Sequence, residues 1–287
     1  MYDYPLYRPP SEAHSLILQI TTGCSYNKCT FCHIYKGKKF SVKSPEEIEK
    51  HILMGKQYDP NPEKIFLADG NALCLSTARL LNLLELIKVH FPNVKQISSY
   101  AGPLDLLRKS EEDLVKIRTA GLELLYMGVE SGSDKVLKAV NKGLTREQMI
   151  TAGQKAKKTG FTLSCMIISG LGGKELLKEH AIDSATAISE INPDFFALLT
   201  LMIESQTPMK KQLDSGEFKL LSPYEVMLEL KMMLENLELD NCVFRANHAS
   251  NYVPLKGILN KDKNMLLEQV NTALRSGHYK PETWRGL

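Results

Sequence analysis

Short, nearly uninterrupted apolar runs alternate along the chain with longer stretches in which apolar residues recur every three or four positions. Runs of the first kind are Leu16, Ile17, Leu18 and Ile20, then Ile65 to Ala68, Val94 to Ser98, Leu122 to Val129, Thr162 to Ser169, Phe195 to Met202, and a weaker one at Cys242 to Phe244. Runs of this length closed by turn residues predict buried strands. Between them Leu80, Leu81, Leu83, Leu84 and Ile87, and later Leu114 and Ile117, keep helical spacing. Strand and helix in alternation predict parallel βα units with right-handed crossovers. About six such units give an α/β fold, a partial (β/α)6-type TIM barrel, whose functional loops follow the C-terminal ends of the strands. An eight-stranded barrel or a doubly wound sheet would show a similar alternation, so the loops must carry the distinction.

Composition narrows the classes. With 287 residues, 43% of them hydrophobic, the chain can bury one large core, and a single domain over 1–287 is expected. Its core would cover about 14–210, with a C-terminal loop-helix extension from about 211 to the end. The short N-terminal segment with Tyr2, Tyr4, Pro5, Tyr7, Arg8, Pro9 and Pro10 is expected to pack along the barrel or over its opening. Basic and acidic side chains number 36 and 33, too balanced for a nucleic-acid surface. No apolar run approaches membrane-spanning length, so no membrane partner is expected. MYDYPLYRPP has no apolar segment of the kind a signal peptide needs, which points to a cytoplasmic setting.

The chemistry concentrates behind the first strand. Cys24, Cys29 and Cys32 fall within ITTGCSYNKCTFCHIY, on a loop that Thr21, Thr22 and Gly23 open. Three closely spaced thiolates can hold three irons of a 4Fe-4S cluster and leave the fourth iron free for an external ligand. The same residues with His33 could instead form a four-ligand zinc site, although adjacent Cys32 and His33 would have to reach one ion from neighbouring backbone positions. Cys74, Cys165 and Cys242 are scattered singly, as buried small hydrophobes are.

The spacing C-x4-C-x2-C, with aromatic Phe31 before the last cysteine, resembles the cluster loop of the radical S-adenosylmethionine (SAM) superfamily. It has four residues between the first two cysteines where the common family form has three. Further segments at strand ends extend the resemblance over roughly residues 14 to 210. FLADGNAL, with Asp69, Gly70 and Asn71, resembles the small segment whose backbone meets the methionine amino group. GVESGSD resembles the segment of the coproporphyrinogen-oxidase-like and methylthiotransferase-like branches in which Glu130 and Ser131 would face the SAM ribose or carboxylate. Ser133 and Asp134 would cap the helix that follows. SGLGG, with Gly170, resembles the segment that passes close to adenine.

The resemblance implies a radical SAM enzyme with one oxygen-sensitive 4Fe-4S cluster on Cys24, Cys29 and Cys32, handled anaerobically. SAM would be the cofactor, held by Phe31, Asp69, Gly70, Asn71, Glu130, Ser131 and Gly170. Reduced flavodoxin or ferredoxin would donate the electron, and the 5'-deoxyadenosyl radical would act on an unidentified small molecule. RNA or protein modification, and a non-catalytic zinc- or iron-sulfur-binding protein, are the alternatives. Substrate contacts are expected from FRANHASNYVPLKG, where Arg245 could clamp a carboxylate or phosphate and His248 could move a proton as the catalytic pair. The competing reading of that segment is a turn network tying the C-terminal helix to the barrel. Glu204, Ser205 and Gln206 also stand where they could enter a cavity.

Overall fold

The apolar runs fold as strands and the periodic stretches as helices in the computed structural model, which describes residues 2–286. The chain divides into two compact units. The first holds the chain up to Asn27, Ile34–Met127 and Lys155–Leu163. Its elements are β1 (Leu16–Gln19), β2 (Thr21–Thr22), β3 (Ser41–Val42), α1 (Pro45–Tyr58), β4 (Lys64–Ala68), α2 (Thr77–His90), β5 (Gln96–Tyr100), α3 (Pro103–Arg108), α4 (Glu111–Thr119) and most of β6 (Leu122–Glu130). Helix α1 starts where Ser44 and Glu47 cap each other's backbone, with Pro45 at the first helical position. β1, β4, β5 and β6 pair in parallel in that order, with Leu18 opposite Leu67, Phe66 opposite Ser98 and Ser99 opposite Leu125. Leu18, Ile20, Ile65, Leu67, Leu84 and Ile87 lose all exposure in this unit's core.

The second unit holds Lys28–His33, Gly128–Gln154 and the chain from Ser164 onward. It contains α5 (Asp134–Ala139), most of α6 (Arg146–Lys158) and β7 (Thr162–Ser169), then α7 (Leu177–Ile191), β8 (Phe195–Thr200), α8 (Pro208–Ser215), α9 (Pro223–Asn236), β9 (Val243–Ala246), β10 (Leu255–Ile258) and α10 (Lys263–Ser276). β7, β8 and β9 are parallel, and β10 closes the order antiparallel to β9. With β6 and β7 shared, strand order follows chain order from β1 through β4 to β10, the mostly parallel α/β arrangement of a partial TIM barrel. β10 was not expected: Leu-Lys-Gly-Ile offers neither an apolar run nor an alternation strong enough to mark a strand.

Alternation divides the second unit's sheet into two faces. Cys165, Ile167, Phe196, Leu198, Phe244, Ala246 and Leu255 form a buried face, where the rings of Phe196 and Phe244 lie 5.5 Å apart. Burying each such ring is worth about 1.5–3 kcal/mol. The intervening Met166, Ile168, Ala197 and Leu199 are only half-buried, and Arg245 and Lys256 are exposed. No helix among the described residues is long and apolar enough to cross a membrane.

Candidate functional site

In the first unit the end of β4 holds the start of the cysteine loop. Asp69 is fully buried, and its Oδ2 accepts hydrogen bonds from the Gly23 amide (3.1 Å), Gln19 Nε2 (3.3 Å) and Lys38 Nζ (3.2 Å). The carboxylate thus fixes the residue before Cys24 and leaves the segment's backbone as its expected contact with the cofactor, while Oδ1 accepts no hydrogen bond. Burial and the Asp69 charge together push the Tyr35 phenol far up, so it stays protonated. Gly70 is required by contact: a Cβ there would lie 2.4 Å from the Gly23 carbonyl oxygen and 2.7 Å from Cys24 Cα. Asn71 accepts from the Gly102 amide (3.1 Å) and donates to Asp105 and to Ser25 Oγ (3.4 Å).

The loop turns at Asn27, whose φ is 46° and whose amide donates to Cys24 Sγ at 3.4 Å. Asn27 Nδ2 donates to the Tyr35 carbonyl (2.8 Å) and Lys36 Nζ to the Asn27 carbonyl (3.1 Å). Lys38 also reaches the Asp3 and Pro5 carbonyls, so the N-terminal segment packs on this unit. Burial and the Asp105 charge push the Cys74 thiol up to about 11, which keeps it protonated and a poor ligand at neutral pH.

In the second unit the remainder of the loop is fixed by backbone. The Thr30 amide donates to the Val140 carbonyl (2.9 Å), and the Met209 amide donates to the Thr30 carbonyl (3.1 Å). Phe31 packs on Val136, Val140, Leu171, Leu201 and Met209, which makes it the apolar anchor of Cys29 and Cys32. At the end of β6, Glu130 adopts φ 68°, a conformation that strains a side chain with a β-carbon. One carboxylate oxygen pairs with Lys142 Nζ at 3.0 Å; Oε2 is buried without a partner. A Cβ at Gly128 would lie 2.2 Å from Glu130 Oε1, so the carboxylate folds back over the glycine and any side chain there would have to displace it.

Ser131 is placed differently from expectation. It is fully buried; its Oγ meets His180 Nδ1 at 2.8 Å and accepts from the Ser133 amide at 3.0 Å. His180 Nε2 faces the Ile168 carbonyl at 3.0 Å, so that nitrogen carries the proton and Ser131 donates to Nδ1. Its hydroxyl is therefore committed within the fold. Ser133 caps α5 through the Val136 amide, as expected.

The end of β7 shows a residue that the sequence reading missed. Glu229 of α9 is fully buried, and its Oε2 accepts from Ser169 Oγ at 2.5 Å and from the Gly170 amide at 2.7 Å. Burial pushes this carboxyl above the usual carboxylate range, against the opposing influence of His180 and the two donors. Its Oε1 has no partner, and Gly170 has φ 83°. Helical spacing held the signal: Glu229 stands in the stripe of Val226, Leu230 and Met233, where a charge is costly. Beside it opens a cavity of about 310 Å³ lined by Ser169, Gly170, Thr200, Leu201, Tyr252 and Arg285 among others, with Glu204 at its wall.

Most of FRANHASNYVPLKG proves to be a tie. Asn251 joins Thr200 Oγ1 (2.9 Å) and the Leu198 carbonyl (2.8 Å), and Ser250 Oγ accepts from the Thr200 amide (3.2 Å). Arg285 donates to the Ser250 carbonyl (2.6 Å), the Tyr252 hydroxyl (2.6 Å) and the Leu201 carbonyl (3.2 Å), and stacks 4.1 Å from the centre of the Tyr252 ring. His248 Nδ1 accepts from the Ser250 amide at 3.1 Å, so Nε2 bears its proton; burial and Lys280 lower its pKa. Arg245 takes no part in this tie and stands exposed on β9 without a hydrogen bond or ion pair among the described residues.

Among the described residues no three His, Cys, Asp or Glu side chains are gathered as a ready metal cage. The donor set still suits a cluster. Cys24, Cys29 and Cys32 are half-buried, free of disulfides and carried on irregular backbone, and Cys24 Sγ already accepts an amide N–H of the kind that stabilises a thiolate.

Comparison with known proteins gives a concordant result. Heme chaperone HemW of Bacillus subtilis (strain 168) is 24% identical over 202 residues, which cover 66% of this chain and 52% of HemW. The chain thus spans about half the length of that relative. Methylornithine synthase (PylB) superposes with a TM-score of 0.55 at 19% identity, over 93% of this chain and 82% of its own. The methyltransferase TsrM of Kitasatospora setae, solved with cobalamin and a [4Fe-4S] cluster bound, gives 0.54 at 18% identity over 70% of this chain and 39% of its own. These likenesses show the fold. The model of the radical SAM superfamily, whose members use a 4Fe-4S cluster and SAM, matches residues 18–183, more than half of the chain and all three loop cysteines, and the chain belongs to that superfamily.

Proposed function

We propose that this chain is a radical SAM enzyme that cleaves SAM reductively and acts on a small-molecule substrate. Cys24, Cys29 and Cys32 would hold a single 4Fe-4S cluster. When bound, that cluster supplies the electron that splits SAM into methionine and a 5'-deoxyadenosyl radical. The chain's own residues do the rest. Asp69 fixes the backbone at Gly23, and Gly70 packs against the Cys24 backbone, so the start of the loop is preorganised. The backbone of Gly70 and Asn71 would meet the methionine end of SAM, and Gly170 with the cavity beside it would take the adenine. Ser131 is omitted from the SAM contacts because its hydroxyl is already engaged. Phe31 acts by anchoring the loop, Arg245 is kept as a substrate contact, and His248 shapes the tie next to it. Reduced flavodoxin or ferredoxin is the proposed electron donor. A cytoplasmic, reducing setting suits six cysteines that form no disulfide.

The observation that carries this reading is Glu130: a buried carboxylate on strained backbone at a strand's end, with one oxygen paired to Lys142 and the other unpartnered. Strain and an unsatisfied acceptor are retained where a ligand completes the bonding. A ribose hydroxyl of SAM would do so. A charge-assisted bond of that kind contributes about 1.5–3 kcal/mol, so Glu130→Ala should weaken SAM binding roughly ten- to a hundredfold. The test is anaerobic SAM titration of the variant together with deoxyadenosine formation by the reduced wild-type protein. Unchanged SAM affinity in a folded variant would place Glu130 outside the site, and absence of deoxyadenosine from cluster-loaded wild-type protein would remove the function.

A further inference from the structure

The half-open face of the second unit's sheet carries a row in strict register: Met166 of β7, Ala197 of β8, Arg245 of β9 and Lys256 of β10. Residues directly opposite on neighbouring strands share a face, so the guanidinium and the ammonium rise side by side from it. Neither makes a hydrogen bond or ion pair among the described residues. Like charges opposite each other destabilise a strand pair. A lone lysine on an edge strand discourages edge-to-edge pairing, but that role needs no second cation across from it. Ala197, flanking Arg245 on the other side, is half-buried and brings only a methyl group to the row.

We propose that Arg245 and Lys256 form the anion-binding end of the substrate site and take a phosphate monoester dianion. Two adjacent positive charges match a dianion, whereas a carboxylate would leave one of them uncompensated. The guanidinium can grip two phosphate oxygens in a planar fork while the ammonium meets a third. Position supports the assignment. Ile168, one row toward the C-terminal end of β7, packs on the same apolar cluster as Phe31 of the cysteine loop. With strands about 4.8 Å apart and about 3.3 Å of rise per residue, Arg245 lies roughly 12 Å from Ile168 across the face. A substrate of about sugar-phosphate length would span that distance. The proposal deepens the radical SAM reading and rests on it only for what the phosphate is attached to.

The test is calorimetric titration of the cluster-loaded 287-residue protein with inorganic phosphate at pH 8, with ionic strength held constant by chloride. Saturable binding to the wild type is expected, weakened about tenfold or more in Arg245→Gln and in Lys256→Gln. Acetate should bind at least tenfold more weakly than phosphate. In phosphate-free buffer both variants should melt at or above the wild-type temperature, because each removes a like-charge repulsion; this establishes that they fold. No saturable phosphate binding to the wild type, equal affinity in the variants, or acetate binding as tightly as phosphate would overturn the proposal. Deoxyadenosine formation by the wild type without substrate is measured separately, so failure of the radical SAM reading leaves the phosphate result standing.

Discussion

Replacing Glu229 by Gln isolates the energetic cost of a carboxyl that the fold buries against Ser169 and Gly170. Its native pKa lies above the usual value of 4.5 because burial penalises the anion. The folded state therefore keeps the proton to higher pH than the unfolded chain, and unfolding releases it between the two pKa values. The stability this carboxyl contributes is fully present below about 4.5 and is lost as pH rises through the native value. Within that window the loss is about 1.4 kcal/mol per pH unit. An unfolding entropy of roughly 2.1 cal/mol/K per residue makes it about 2 °C of melting temperature per pH unit for a chain of this length. Gln keeps a carbonyl that can accept both bonds from Ser169 and Gly170, but places an NH2 where Oε1 now has no partner. The variant should start about 1–3 kcal/mol less stable at low pH and show a flatter pH dependence. The assay is anaerobic scanning calorimetry of both proteins from pH 5 to 8, read as the difference in slope so that all other titrating groups cancel. Identical slopes would refute the placement of a proton on Glu229.

Two further outcomes follow from the loop geometry. Gly70→Ala forces a methyl group into the Gly23 and Cys24 backbone, and overpacking of about 1–3 kcal/mol should lower the melting temperature by roughly 2–5 °C and reduce iron content after anaerobic reconstitution; a full complement of iron with unchanged melting would remove the contact. Cys74→Ser should retain full iron because its thiol stays protonated, whereas Cys24→Ser should lose cluster; the iron-to-protein ratio of the two separates them, and loss in Cys74→Ser would make it a ligand.

Strands that carry apolar residues on both faces were legible in the sequence, because such residues write a nearly continuous apolar run even where one face of β7 and β8 is only half-buried; β4, β6, β7 and β8 fall within a few residues of expectation. The run starting at Val94 settles two residues later, at Gln96–Tyr100, because the turn after α2 claims Val94. β9 and β10 were harder to see: half of each faces an open surface and carries cations, which erases the run. Candidate residues on glycine-rich strand ends were singled out by their resemblance to a motif. The partners that hold them could not, since Asp69 acting on Gly23, Glu229 on Gly170 and Arg285 on Tyr252 bridge 46, 59 and 33 positions. FRANHASNYVPLKG misled for a related reason: polar groups that satisfy strand ends and polar groups that greet a ligand have the same composition, and only their bonding distinguishes them.

The fold-back of Glu130 over Gly128 carries an evolutionary consequence. A β-carbon at 128 and the present carboxylate at 130 would compete for the same space, so 128 can gain a side chain only where the acid moves or is lost, whereas 130 can change while the glycine stays. A lineage that acquires alanine at 128 must first surrender or redirect the acid, and one that surrenders the acid frees 128 to vary. Change at 128 should therefore follow change at 130 in descent and not precede it.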